Sequence, residues 1–355
     1  MTSATRPVAR LTSPGEIASL IPVLCGFVPQ ESLVVISLRG PRKRIGLTMR
    51  FDLDWAVGDL AAAAAEVAAR LGLDGAAQVV LVVHSAEVDP DPDPGSDPGS
   101  VVGLAWGELV SAVEDACATG GVAMNEALLV RDGRWWSYLC RRPACCPPEG
   151  TPMEGTSTPA LQLVQAETVL GGRAVLASRD ELRASVAGPV LLAAVAAEHA
   201  LDLAVERWLD RYHREGREPL RRHGVRRARA LVARVEAGGA VDVAEAAELA
   251  VVVQDVLVRD EVATWCLRRS EALVSTLTQT ARLVVPPEDA AVLALLGWVA
   301  YAHGDGGLAN VALERSLASD PDYSLAHLLA EMLHRQVPPR EVRKLLRETR
   351  VRLRA

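Results

Sequence analysis

Three of the six cysteines, Cys140, Cys145 and Cys146, fall within seven residues, at the end of an aromatic run (Trp135, Trp136, Tyr138) and just before Pro147-Pro148-Glu149-Gly150. Thiols grouped this way invite zinc ligation, thiol–disulfide exchange, or neither. Zinc takes four ligands, commonly from two Cys-x2-Cys knuckles, whereas here Cys-x4-Cys is followed by an adjacent cysteine with no second pair downstream. The Cys-x-x-Cys redox pattern is absent, and no helix N-terminus is evident to depress a thiol pKa. The candidate thiol cluster therefore reads as a structural turn, with cysteine as a small apolar residue, proline fixing the backbone and Gly150 supplying a positive φ. No metal ligand set and no cofactor is predicted.

A second group of chemistry-bearing residues sits at predicted strand ends: Ser32, Arg50, Asp52, His84, Ser85 and Arg131. Two arginines can hold an anion through charge-assisted hydrogen bonds, and a histidine can donate or accept a proton near neutral pH. Ser85, His84 and Asp52 have the residue types of a hydrolytic triad, but no Gly-x-Ser-x-Gly elbow accompanies them. Gly-rich segments such as Gly171-Gly172 lack the Gly-Lys-Ser ending of a phosphate loop. A local ion pair accounts equally well for Arg50 and Asp52.

The elements that must position these residues follow from the apolar pattern. Leu33 to Leu38 and Ile45 to Phe51 flank Gly40-Pro41 and read as a hairpin. Asp54 is expected to cap a helix from Trp55 to Leu71. Gln78 to Val83 has the continuous Val/Leu content of a strand buried on both faces, and Val101 to Ala118 reads as a second helix. Ala127 to Val130 and Trp135 to Leu139 form a second hairpin about Asp132-Gly133. The order strand-strand-helix-strand-helix-strand-strand makes an α/β domain with a mixed sheet over residues 1–155. Its second, third and fourth strands run parallel, with antiparallel outer strands added by the two hairpins. Ligands of such sheets gather beyond the carboxyl ends of the parallel strands. That edge receives the six residues above, with Gln30, Glu31 and Arg134 joining them, while Cys140 falls at the opposite edge. The Asp/Pro-rich stretch 89–100 reads as an extended solvated insertion beside the edge.

From residue 156 to 355 strand signals vanish and Ala/Leu-rich helical stretches alternate with Gly and Pro turns, an all-α helical domain. Near 290–335, Leu293, Leu296, Gly297, Ala309, Leu313 and Pro321 fall at tetratricopeptide spacings, predicting one such hairpin. The arginine-rich stretch Arg207 to Arg229 is interleaved with Glu206, Asp210, Glu215 and Glu218, the pattern of a solvated, ion-paired helix face; the basic tail Arg340 to Arg354 reads the same way.

At 355 residues the chain exceeds one ordinary core, and half its residues are hydrophobic, which excludes global disorder. A net charge of -7 argues against nucleic-acid binding by bulk electrostatics. No secretory signal follows Met1, and the longest apolar stretch, Val190 to Ala197, is far short of the ~20 residues of a membrane helix. A cytoplasmic protein with reduced thiols is expected.

The segments Leu11-Thr12-Ser13-Pro14-Gly15-Glu16, Ile21-Pro22, Gly26-Phe27-Val28-Pro29 and Ser32-Leu33-Val34-Val35 resemble the opening of the actinobacterial domain of unknown function 4192 family. Arg50-Phe51-Asp52-Leu53, Cys146-Pro147-Pro148-Glu149-Gly150, Gly297-Trp298, Ala300-Tyr301, Gly304-Asp305-Gly306 and Asp320-Pro321 extend the resemblance along nearly the whole chain. It implies an actinobacterial cytoplasmic protein, in keeping with the near-absence of lysine, and assigns no activity.

Two functions from different classes fit. The leading expectation is a non-enzymatic binding or adaptor protein acting on protein partners through its helical domain, with nucleic acid and membrane not expected and oligomeric state open. The alternative is a small-molecule sensor or enzyme that holds an anionic ligand between Arg50 and Arg131, with His84 as general acid or base.

Overall fold

Ser13-Pro14-Gly15-Glu16 carries both halves of a capping box, and the chain duly begins with helix α1 (Pro14–Cys25): the Ser13 hydroxyl accepts from the Glu16 amide while the Glu16 carboxylate accepts from the Ser13 amide. Apolar periodicity alone marks no element here. The computed structural model describes residues 13–90, 103–140, 142–154, 158–170 and 175–353. Most of the Asp/Pro-rich stretch, together with Val101 and Gly171-Gly172, lies outside them. The chain divides into two compact units, Met1–Ser178 and Arg179–Ala355.

The first unit is built on a six-stranded mixed sheet of order β2-β1-β3-β4-β5-β6. The strands are β1 (Ser32–Arg39), β2 (Arg44–Asp52), β3 (Gln78–His84), β4 (Ala123–Arg131), β5 (Arg134–Ser137) and the short β6 (Thr151–Pro152). β2, β3 and β4 share one direction, but β1 pairs antiparallel with both β2 and β3. The expectation that β1 is an outer strand is thus corrected: it inserts between two strands of like direction. Its residues explain the choice, since Leu33 to Ile36 are almost wholly buried and suit an interior position, whereas β2 has exposed residues at its start.

Helices α2 (Leu60–Asp74) and α3 (Gly107–Thr119) cover one face, where Leu33, Val35, Leu81, Val83 and Leu129 meet Val67, Leu71, Leu109 and Val113. α1 packs on the other face against β4 and β5, and α4 (Pro159–Leu170) backs it, with Leu161 against Leu20 and Val23. α2 starts later than expected. Asp54 lies in a single 3-10 turn, Leu53–Ala56, and Gly58 at φ +104° interrupts the chain, so the cap is Asp59, whose carboxylate accepts from the Ala62 amide at 2.8 Å.

The second unit is helical among its described residues: α5 (Arg179–Ser185), α6 (Leu192–Glu215), α7 (Arg217–Glu236), α8 (Val243–Val252), α9 (Val256–Thr264), α10 (Cys266–Ala281), α11 (Asp289–His303), α12 (Gly306–Ser319), α13 (Ser324–His334) and α14 (Pro339–Arg352). α11 is apolar around its circumference and buried almost throughout, as a central helix must be. It packs most extensively on α12, where Gly297 leaves room for Leu313. The wholly buried Asp289 in its first turn pairs with Arg315 at 2.5 Å, and the Tyr301 hydroxyl donates to the Met332 carbonyl at 2.9 Å.

Candidate functional site

Strand register brings the predicted edge residues into line. Ser32 stands opposite Asp52 on one side and His84 on the other, and His84 stands beside Val130. Alternation along the strands then divides the group, because successive side chains point to opposite faces. Ser32, Arg50, Asp52 and His84 lie on the α1 face. Ser85 and Arg131 lie on the α2–α3 face.

On the α1 face the Arg50 guanidinium donates to the Ser32 hydroxyl at 2.9 Å, pairs with Asp52 and lies over the Phe27 ring, 5.7 Å from its centroid. His84 is 7% exposed, its Nε2 has no hydrogen-bond partner among the described residues, and burial pushes its pKa down to about 4. On the other face Arg131 forms a bidentate pair with Asp89 at 2.9 and 3.0 Å and lies over Trp136, and those hydrogen bonds raise its pKa. The Ser85 hydroxyl donates to Glu31 at 2.8 Å and accepts from the Trp106 indole at 3.2 Å. Both arginines are therefore satisfied within the fold. Glu31, expected at this edge, fixes Ser85, whereas Asp89, which fixes Arg131, lies in the Asp/Pro-rich stretch outside any strand, where periodicity carries no signal.

The thiol turn is built by the hairpin. Ser137 ends β5, donates to Glu126 at 2.8 Å, and accepts from the amides of Leu139 and Cys140 at 3.2 and 3.1 Å. The amides of Cys145 and Cys146 both donate to the Arg142 carbonyl, at 2.9 and 2.7 Å. The chain then returns along β5: the Trp136 indole donates to the Pro148 carbonyl at 2.9 Å, and Arg134 donates to that of Gly150 at 2.8 Å. Gly150 sits at φ +78° against the Trp136 ring, where a Cβ would lie 2.4 Å from a ring carbon. The result places the sulfurs of Cys140, Cys145 and Cys146 within 4.8 Å of one another. Hydrogen bonding, chiefly from the Arg142 backbone, lowers the Cys140 pKa, while burial raises that of Cys146 to about 12. His84 is not part of this group. Cys25, Cys117 and Cys266 are buried apart from it.

A third site lies in the helical unit. α7, α9, α10 and α14 enclose a groove of about 360 Å³ that presents four guanidiniums, of Arg229, Arg268, Arg269 and Arg350, against one carboxylate, Glu261. Arg229 pairs with Glu261 at 3.0 Å and lies over the Trp265 ring, 5.2 Å from its centroid. Arg269 breaks the regular geometry of α10, at φ -135° and ψ 47°, and reaches Glu236 at 3.1 Å. Among the described residues, Arg268 and Arg350 make no ion pair. Elsewhere the arginine-rich face is paired in part: Arg211 with Glu215, Arg214 with Asp210, Arg221 with Asp255 and Arg227 with Glu248. The groove escaped sequence reading because its arginines come from three separate helices.

The fold is a six-stranded mixed-sheet unit followed by a many-helix unit. The chain matches the family model described as Domain of unknown function (DUF4192) over residues 14–340, and it belongs to that family. No curated protein and no solved structure matches it. No helix among the described residues is long and apolar enough to cross a membrane.

Proposed function

We propose that this chain is a cytoplasmic, non-enzymatic binding protein whose helical unit takes an acidic segment of a partner protein into the groove between α7, α9, α10 and α14. The observation that carries this reading is the excess of guanidinium over carboxylate in the groove, with Arg268 and Arg350 uncompensated beside an aromatic ring. Planar guanidiniums suit carboxylates because they offer paired donors in a fixed fork. The net charge of -7 makes such a basic groove a local exception to the rest of the molecule.

Fluorescence anisotropy with a labelled hexaglutamate peptide tests the reading. Wild-type protein binds it saturably at one site, more weakly as salt rises. The double variant Arg268→Glu/Arg350→Glu loses roughly tenfold or more in affinity, about 1.4 kcal/mol or more, whereas Arg207→Glu on the exposed face of α6 does not. Absence of saturable binding, or equal loss in both variants, contradicts it.

A second reading, an anionic small molecule at the strand ends, has one observation in its favour: the unpartnered, buried Nε2 of His84. Against it stands the division of the six side chains between two faces, with Arg50 and Arg131 each occupied by an acid.

A further inference from the structure

We infer that the turn carrying Cys140, Cys145 and Cys146 is a three-thiolate site for a soft divalent cation of the zinc type. Primary spacing argued against this, since vicinal cysteines seldom serve one tetrahedral ion. The folded turn removes that objection by bringing all three sulfurs within 4.8 Å of one another. A tetrahedral ion with metal–sulfur bonds of ~2.3 Å needs sulfurs about 3.8 Å apart, so sub-ångström side-chain adjustments close the set.

The scaffold around the sulfurs is held from both ends. Ser137 fixes the amide of Cys140, and one carbonyl, that of Arg142, gathers the amides of Cys145 and Cys146. Beyond the turn, Gly150 is locked against Trp136, whose indole donates to Pro148. A purely apolar role does not account for the placement, because Cys145 is exposed and Cys140 and Cys146 are only half-buried. The other three cysteines, Cys25, Cys117 and Cys266, are buried, as apolar packing residues are.

Binding exchanges three S–H bonds for three metal–sulfur bonds: one divalent cation enters, three protons leave to solvent, and no electron is transferred. Three thiolates leave one tetrahedral position for water or an incoming donor. The site is independent of the arginine groove, and neither proposal depends on the other.

Cobalt(II) added to the reduced full-length protein tests it. One equivalent is expected to give thiolate-to-cobalt charge-transfer absorption in the near ultraviolet and the strong visible bands of tetrahedral cobalt, with zinc displacing both. Each of Cys140→Ser, Cys145→Ser and Cys146→Ser, checked for native circular dichroism, is expected to abolish the tetrahedral spectrum. A second measurement needs no variant: mass mapping of iodoacetamide adducts should show these three thiols protected by zinc and released by a chelator. Absence of the charge-transfer band, its survival in the triple serine variant, or unprotected thiols in the presence of zinc would overturn the inference.

Discussion

At the scale of residues, His84 is the clearest case of a titratable group held in one charge state by burial. Burial without a partner disfavours its charged form, so in the folded chain the imidazole stays neutral down to about pH 4, while in the unfolded chain it takes up a proton near 6.5. Within that window the unfolded state binds more protons, so stability falls as pH drops from 6.5 to about 4 and this contribution then levels off. The total reaches up to ~3 kcal/mol. Urea unfolding of wild type and His84→Leu at a series of pH values checks this. The variant should show a shallower decline across the window, and identical slopes would mean the imidazole is not the group responsible. The residue identities at the strand ends were legible in sequence, because each strand's apolar run stops there. Their division between faces followed from the same alternation, yet it becomes visible only once β1 is seen to lie between β2 and β3 and the register is fixed.

Elements tell a different story about legibility. The sheet, its two hairpins and the run of helices in the second unit announced themselves through period and turn residues. The interior place of β1, the short β6 and two helix starts did not. α1 was overlooked although Ser13 and Glu16 stand at capping-box spacing, because Pro22 inside the helix masks its period. The start of α2 was misplaced because Asp54 and Asp59 are both competent caps and only Gly58, with its positive φ, decides between them. A packing prediction belongs at this scale as well. A Cβ at Gly297 would lie 2.7 Å from Leu313 Cγ, so Gly297→Ala should destabilise the protein by about 1–3 kcal/mol through overpacking. Adding Leu313→Ala should relieve part of that strain, giving a double variant more stable than the sum of the single losses. Strict additivity in denaturant midpoints would show that the two helices do not meet as described.

For the whole molecule, the balance of charge decides which surface is open to a partner. Several arginines of α6 and α7 are paired with acids on the same or a neighbouring helix, while the groove gathers Arg229, Arg268, Arg269 and Arg350 around Glu261. No composition total reveals this, because a chain of net charge -7 hides it. The thiol turn was equally hidden in part: its residues are contiguous, but the convergence of their sulfurs depends on the chain doubling back along β5. Hydrogen–deuterium exchange of the full chain with and without the hexaglutamate peptide separates the groove from the strand ends as the binding surface. Slowed exchange is expected at the groove-facing turns of α7, α9, α10 and α14, with no change at the carboxyl ends of β2, β3 and β4. Protection at those strand ends instead, with the groove unaffected, would contradict binding in the groove and favour the small-molecule reading.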